Sequence, residues 1–87
     1  MRSVKIKVNN IEGLHARHAS RLVGLCHRFG SSIMISNQEA TADGKNITEV
    51  LGLGVETGNI LTIEINGKDE AGAEEAIKDF FRTGEEK

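Results

Sequence analysis

The sequence predicts an α+β fold: a single antiparallel four-stranded sheet with three helices on one face, in the order βαββαβα. Three observations point there. Val4, Ile6 and Val8 alternate with lysines, and Asn59 to Ile65 (NILTIEI) is a second β-rich run, so period-two strands stand in both halves of the chain. Apolar residues recur at helical spacing at Ala19, Leu22, Val23, Cys26 and Phe29, and again at Ala73, Ala76, Ile77, Phe80 and Phe81. The 87 residues suffice for one modest core and no second. Amphipathic helices with little other apolar surface must then share one side of the sheet and leave its other side wet.

Each element follows in order. Ser3 to Asn9 is a half-buried strand, and Asn9 to Gly13 supplies the turn after it. A helix starts at Ala16, and Gly30 is placed to stop it. Ser32 to Ser36 (SIMIS) and the weaker Ala40 to Ala42 form a hairpin across the polar Asn37-Gln38-Glu39, and Asp43-Gly44 is a turn signal after it. Asn46 caps a short helix through Ile47, Val50 and Leu51, which Gly52 and Gly54 keep short. After the strand Asn59 to Ile65 comes a turn at Gly67, and Asp69 caps the last helix. Gly84 to Lys87 reads as a frayed tail. With no repeat, low-complexity stretch or linker, residues 1–87 read as a single domain.

Composition narrows the function. With three phenylalanines and no tyrosine or tryptophan, the core must be aliphatic, and no aromatic platform for stacking nucleobases is available. A net charge of −2 further argues against nucleic acid as a partner. Charge is nonetheless segregated: Arg17, Arg21 and Arg28, with His18 and His27, fall in the first helical segment, while the C-terminal stretch is rich in Asp and Glu. A basic patch on an acidic chain suits an anionic group or an acidic partner. Cys26 is a lone cysteine on an apolar phase, which reads as a small buried hydrophobe. No run reaches transmembrane length and no signal peptide is evident, so a cytoplasmic protein without membrane insertion is expected.

One stretch breaks a stability rule. Gly13 to Ser20 (GLHARHAS) sets His15 at the helix start and Arg17 in the first turn, where a cation opposes the helix dipole. First-turn N–H groups are unpaired and point outward, so an anion on the His15 ring would meet those donors and the positive helix end. Arg17 is placed to add a charge-assisted bond to a phosphate. The same positive surroundings disfavour imidazolium, leaving a neutral ring that is a competent nucleophile toward phosphorus. The same residues equally suit a capping turn with a solvated arginine, and pattern alone reaches only an anion site with a possible nucleophile.

Gly13-Leu14-His15-Ala16-Arg17 resembles the active-site segment of HPr, the histidine phosphocarrier family of the bacterial phosphoenolpyruvate-dependent sugar phosphotransferase system. The resemblance extends through Gly44-Lys45, Leu53-Gly54-Val55, Gly58 and Asp69-Glu70, nearly the whole chain. It implies an HPr-like open-faced sandwich that acts as a covalent carrier and not as an enzyme with a substrate pocket. His15 would accept a phosphoryl group on Nδ1 from enzyme I and pass it to an enzyme IIA. Arg17 and the backbone N–H groups at Ala16 and Arg17 would receive its oxygens. Docking would use Ser20, Arg21 and Gly24 of the first helix with Ile47, Thr48 and Leu51 of the second. Neither cofactor nor metal is implied, and a monomer is expected.

The chain departs from the family in three places. His18 stands where HPr proteins typically carry proline, so it is read as a tolerated exposed residue, a helper that binds the phosphoryl group, or half of a two-histidine metal site with no evident third ligand. Asn46 occupies the place of the regulatory serine of many relatives; it caps a helix but takes no phosphate, so escape from serine-kinase control is expected. Thr48 and Glu49 make the docking patch more polar and more acidic, while Ile47 and Leu51 fit either docking or core packing. An alternative reading keeps the same fold as an HPr-like regulatory protein of a nitrogen-related or catabolite-control branch, acting by phosphorylation-dependent binding.

Overall fold

The computed structural model describes residues 1–8 and 16–83. Within them the chain forms β1 (Arg2–Lys7), α1 (Ala16–Cys26), β2 (Ser32–Ser36), β3 (Thr41–Asp43), α2 (Ile47–Gly52), β4 (Ile60–Asn66) and α3 (Glu70–Thr83). The four strands make one antiparallel sheet in the order β1-β4-β2-β3, with three helices, as the sequence led us to expect. The turn expected at Asn9 to Gly13 and the tail at Gly84 to Lys87 lie outside the described residues.

Alternation decides which side of the sheet is covered. Leu61, Ile63 and Ile65 of β4 are fully buried, and so are Ile33 and Ile35 of β2 beside them. Their sequence neighbours Met34, Thr62 and Glu64 pass to the opposite, open face, where Ser36 Oγ and Thr41 Oγ1 lie 3.0 Å apart. Val4 and Ile6 share the covered side but are only half-buried, because β1 is an edge strand with a neighbour on one flank. Val8 is fully buried: its N–H donates to Asn59 O at 2.9 Å and its carbonyl accepts from Gly58 N–H at 2.7 Å, pinning the chain as it leaves the sheet. The helix layer closes this core with Ala19, Leu22, Val23, Leu25 and Cys26 of α1, Val50 of α2, and Ala73, Ile77, Phe80 and Phe81 of α3. The Phe80 and Phe81 rings meet edge to face, with centroids 5.2 Å apart.

One helix boundary and one capping role differ from expectation. Helix α1 ends at Cys26, before Gly30. Beyond it the ladder tightens to i→i−3 bonds, Arg28 N–H to Leu25 O and Phe29 N–H to Cys26 O. The Gly30 N–H then donates to Asp69 Oδ2 at 2.9 Å, so Gly30 serves a tertiary bond in place of a helix stop. Asp69 does precede α3, and its carbonyl accepts from Ala73 N–H. Its carboxylate, however, reaches back to the α1–β2 loop, accepting from Gly30 N–H, Ser31 N–H and the Ser31 hydroxyl. Helix α2 follows the sequence more closely. The Asn46 side chain accepts from Glu49 N–H at 3.1 Å, and Gly54, at φ +62°, turns the chain out of the helix.

Candidate functional site

The structure gives α1 from Ala16, the residue next in sequence after His15. Gly13, Leu14 and His15 themselves lie outside the described residues. Ala16 and Arg17 are exposed at the helix start, and His18 is half-buried. Helices α2 and α3 each carry a glutamate in the first turn, Glu49 and Glu70, as the helix dipole favours. The first turn of α1 has no acidic residue and carries Arg17 instead. The positive end of α1 is therefore uncompensated by any carboxylate of its own first turn. Such an end receives anions.

The residues expected to dock lie apart from the core. On α1, Ser20 and Gly24 are exposed and Arg21 is half-buried, while Ala19, Leu22 and Val23 turn inward. A side chain at Gly24 would meet nothing within 4 Å, so this part of α1 is bare backbone surface. On α2, which packs beside α1, Val50 faces the core with Leu53 just after it. Thr48 is exposed, and Ile47 and Leu51 remain 37% and 40% exposed, which resolves their open assignment in favour of surface. Two aliphatic side chains one turn apart on a surface helix form a small apolar patch. Glu49 is no free rim charge: its carboxylate accepts from Asp43 N–H at 2.9 Å, across the turn that precedes α2.

Other sequence-stretch residues serve the scaffold. Cys26 is completely buried, and burial pushes its thiol up to about 12, which leaves it inert as a nucleophile. His27 is exposed, and its Nε2 lies 2.9 Å from Lys45 O. Lys45 Nζ donates to Phe29 O at 2.7 Å. Neither contact has a local sequence signal, because each joins residues far apart in the chain. A shallow hollow of about 230 Å³ lies between Asn37, Gln38, Glu39, Gly58, Asn59 and Ile60, and it includes none of the expected site residues. Among the described residues no group of three His, Cys, Asp or Glu gathers as a metal site, and no helix is long and apolar enough to cross a membrane.

Comparison with known proteins bears on this arrangement directly. Residues 2–83 match the family model described as PTS HPr component phosphorylation site. The phosphocarrier protein HPr of Lysinibacillus sphaericus is 36% identical over 77 residues, covering 88% of each chain. The multiphosphoryl transfer protein of Salmonella typhimurium is 35% identical over 85 residues, covering 94% of this chain; the chain spans only 23% of that relative's length. Among solved structures, HPr-C-His from Thermoanaerobacter tengcongensis superposes with a TM-score of 0.92 at 34% identity over 100% of both chains. The fold and the resemblance read from GLHAR are both borne out.

Proposed function

Since the chain belongs to the HPr phosphocarrier family of the phosphotransferase system, we propose that it relays a phosphoryl group on His15, from an enzyme I phosphohistidine to an enzyme IIA. The observation that carries this reading is the junction at Ala16. Ala16, next in sequence after His15, opens a helix whose first turn lacks any acid and presents an exposed arginine. On loading, the His15 Nδ1 lone pair attacks phosphorus and a new P–N bond forms; on unloading, a nucleophile of the enzyme IIA attacks that phosphorus and His15 becomes the donor ring. The P–N bond to the donor ring breaks, and its electron pair returns to that ring. The first-turn N–H groups at Ala16 and Arg17, and the Arg17 guanidinium, receive the phosphoryl oxygens. His18, half-buried in the same turn, would add a further donor to them. No catalytic pocket is required, because each partner supplies the rest of the transfer site.

Docking in this reading uses Ser20, Arg21 and Gly24 with Ile47, Thr48 and Leu51, which lie on the exposed sides of two neighbouring helices. The carrier works as a cytoplasmic monomer. Asn46 is occupied as the cap of α2 and offers no hydroxyl, so serine-directed kinases find no acceptor there.

The test is intact mass after incubation with phosphoenolpyruvate and a general enzyme I. Wild type should gain one acid-labile phosphate, lost in His15→Ala and retained in His18→Ala. A wild type that takes no phosphate, beside another HPr that does, would remove the relay and favour the regulatory alternative.

A further inference from the structure

Several contacts converge on the turn that joins β3 to α2. Lys45 Nζ donates to Phe29 O at 2.7 Å, and Lys45 O lies 2.9 Å from His27 Nε2. A carbonyl can only accept, so this imidazole nitrogen carries the hydrogen. Just before it, Gly44 N–H donates to Ile33 O at 2.7 Å. A side chain at Gly44 would stand 3.0 Å from Ile33 Cγ2 and 3.3 Å from Cys26 Sγ, so the turn lies flat against β2 and the end of α1. Just after it, Asn46 caps α2, and Ile47 follows.

One lysine is thus held at both ends by two of the residues that leave α1. Its ammonium holds Phe29 and its carbonyl holds His27. Helix α1 has no basic residue in its own last turn, so Lys45 supplies a cation where the helix end favours one. Helix α2 is only six residues long and buries one residue, Val50, within its span. So short a helix takes its direction from what holds its entry.

We propose that Lys45 and His27 are positioning residues for partner docking, setting Ile47 and Leu51 of α2 in register with Ser20 and Gly24 of α1. The inference rests on the relay reading above. It assigns Lys45 a role other than that of a rim charge: its ammonium is half-buried and committed to a backbone carbonyl. It also gives His27 a task that its exposure alone does not suggest.

The experiment measures phosphoryl transfer from phosphorylated enzyme I to wild type, Lys45→Met, His27→Ala, His27→Gln and the double variant Lys45→Met/His27→Ala, over a range of carrier and salt concentrations. It is run well below each variant's melting temperature, so that lost stability leaves KM untouched. KM should rise about three- to ten-fold in Lys45→Met and in His27→Ala with kcat unchanged, since misplaced contacts weaken docking without altering the reacting ring. His27→Gln, which keeps an N–H donor, should restore most of the loss. The double variant should be little worse than the poorer single variant, because both contacts hold the same segment. The salt dependence of KM should keep its wild-type slope. Should Lys45→Met not fold, the His27 pair carries the test. Unchanged KM in His27→Ala, or a flattened salt slope in Lys45→Met as for a lost docking charge, would overturn the proposal. A wild type that accepts no phosphate removes the relay and this role together. Normal phosphorylation with unaltered KM in the variants removes this role alone.

Discussion

A Cβ placed on Gly67 would stand 2.5 Å from the Ser31 hydroxyl oxygen and 2.6 Å from Ser31 Cα, on a backbone at φ +157°. The β4–α3 turn therefore passes too close to the α1–β2 loop for any side chain. Ser31 is itself buried, so the clash has little room to relax. Gly67→Ala should cost roughly 1–3 kcal/mol, as overpacking of a tight site does. Gly24 is the opposite case: it lies within α1, and a methyl there would touch nothing within 4 Å. Gly24→Ala should stabilise by about 0.5–1 kcal/mol through helix propensity and a less disordered unfolded chain. Urea melts of the two variants should move in opposite directions. A common sign would mean that the contacts around Gly67, or the open space over Gly24, are wrongly placed. The sequence marked Gly67 as a turn residue, but only the structure shows that Ser31 makes glycine obligatory there.

Elements are held to one another by polar contacts between loops as well as by the core. The Asp69 carboxylate takes the Ser31 hydroxyl and the N–H groups of Gly30 and Ser31, and these bonds, the hydroxyl foremost, hold its pKa below the usual carboxylate value. Glu70 is lowered chiefly by the Gly67 N–H, and Glu74 by the Lys78 ammonium followed by Arg2. A carboxyl with a depressed folded-state pKa stabilises the fold above its unfolded value, near 4, and loses that contribution as pH falls through the folded value. Thermal stability should thus be flat near neutrality and fall steeply below about pH 4. Asp69→Asn should lower the melting temperature at pH 7 and lose less than wild type on acidification, while Glu70 and Glu74 keep some acid sensitivity. Parallel profiles for wild type and variant would refute the assignment. The same carboxylate shows where sequence reading stops. Strand alternation, the apolar stripe of α3 and the Asn46 cap are local patterns, and all were legible. Asp69 was also legible as the residue before a helix, yet its carboxylate serves a loop 38 residues away. No periodicity encodes that reach. The end of α1 was misplaced for the same reason, because the partner of Gly30 N–H is distant. In the candidate site, the order of GLHAR and the apolar stripe put His15 next to the helix start. A six-residue helix has too few turns to reveal its buried side, and so Ile47 and Leu51 stayed unassigned until Val50 was seen to face the core.

On the scale of the whole molecule, the sheet is a partition. One side carries the aliphatic core and the helices; the other exposes Lys5, Lys7 and Glu64 to water, with Thr62 half-buried among them. Helix α1 and the short helix with exposed Ile47 and Leu51 pack against each other, so the exposed Arg17 end of α1 and the apolar patch belong to the same layer. Stability and docking should therefore be separable by substitution. Ile47 and Leu51 keep more than a third of their surface in water, so replacing both by serine removes little from the core, and the unfolding free energy should change by no more than about 0.5 kcal/mol per site. An apolar contact desolvated at a partner's surface is worth more: loss of about 1–2 kcal/mol of docking energy corresponds to roughly a ten-fold rise in KM for phosphoryl transfer from enzyme I. The rate at saturating carrier should stay near wild type, because the substitutions remove docking contacts and leave His15 and Arg17 unchanged. Salt should not rescue the loss, since the missing contact is apolar. If Ile47→Ser/Leu51→Ser instead lowered the unfolding free energy by about 2 kcal/mol or more per site while leaving the KM of the folded carrier intact, the two residues would belong to the core after all. The carrier would then have to meet its partners through α1 alone.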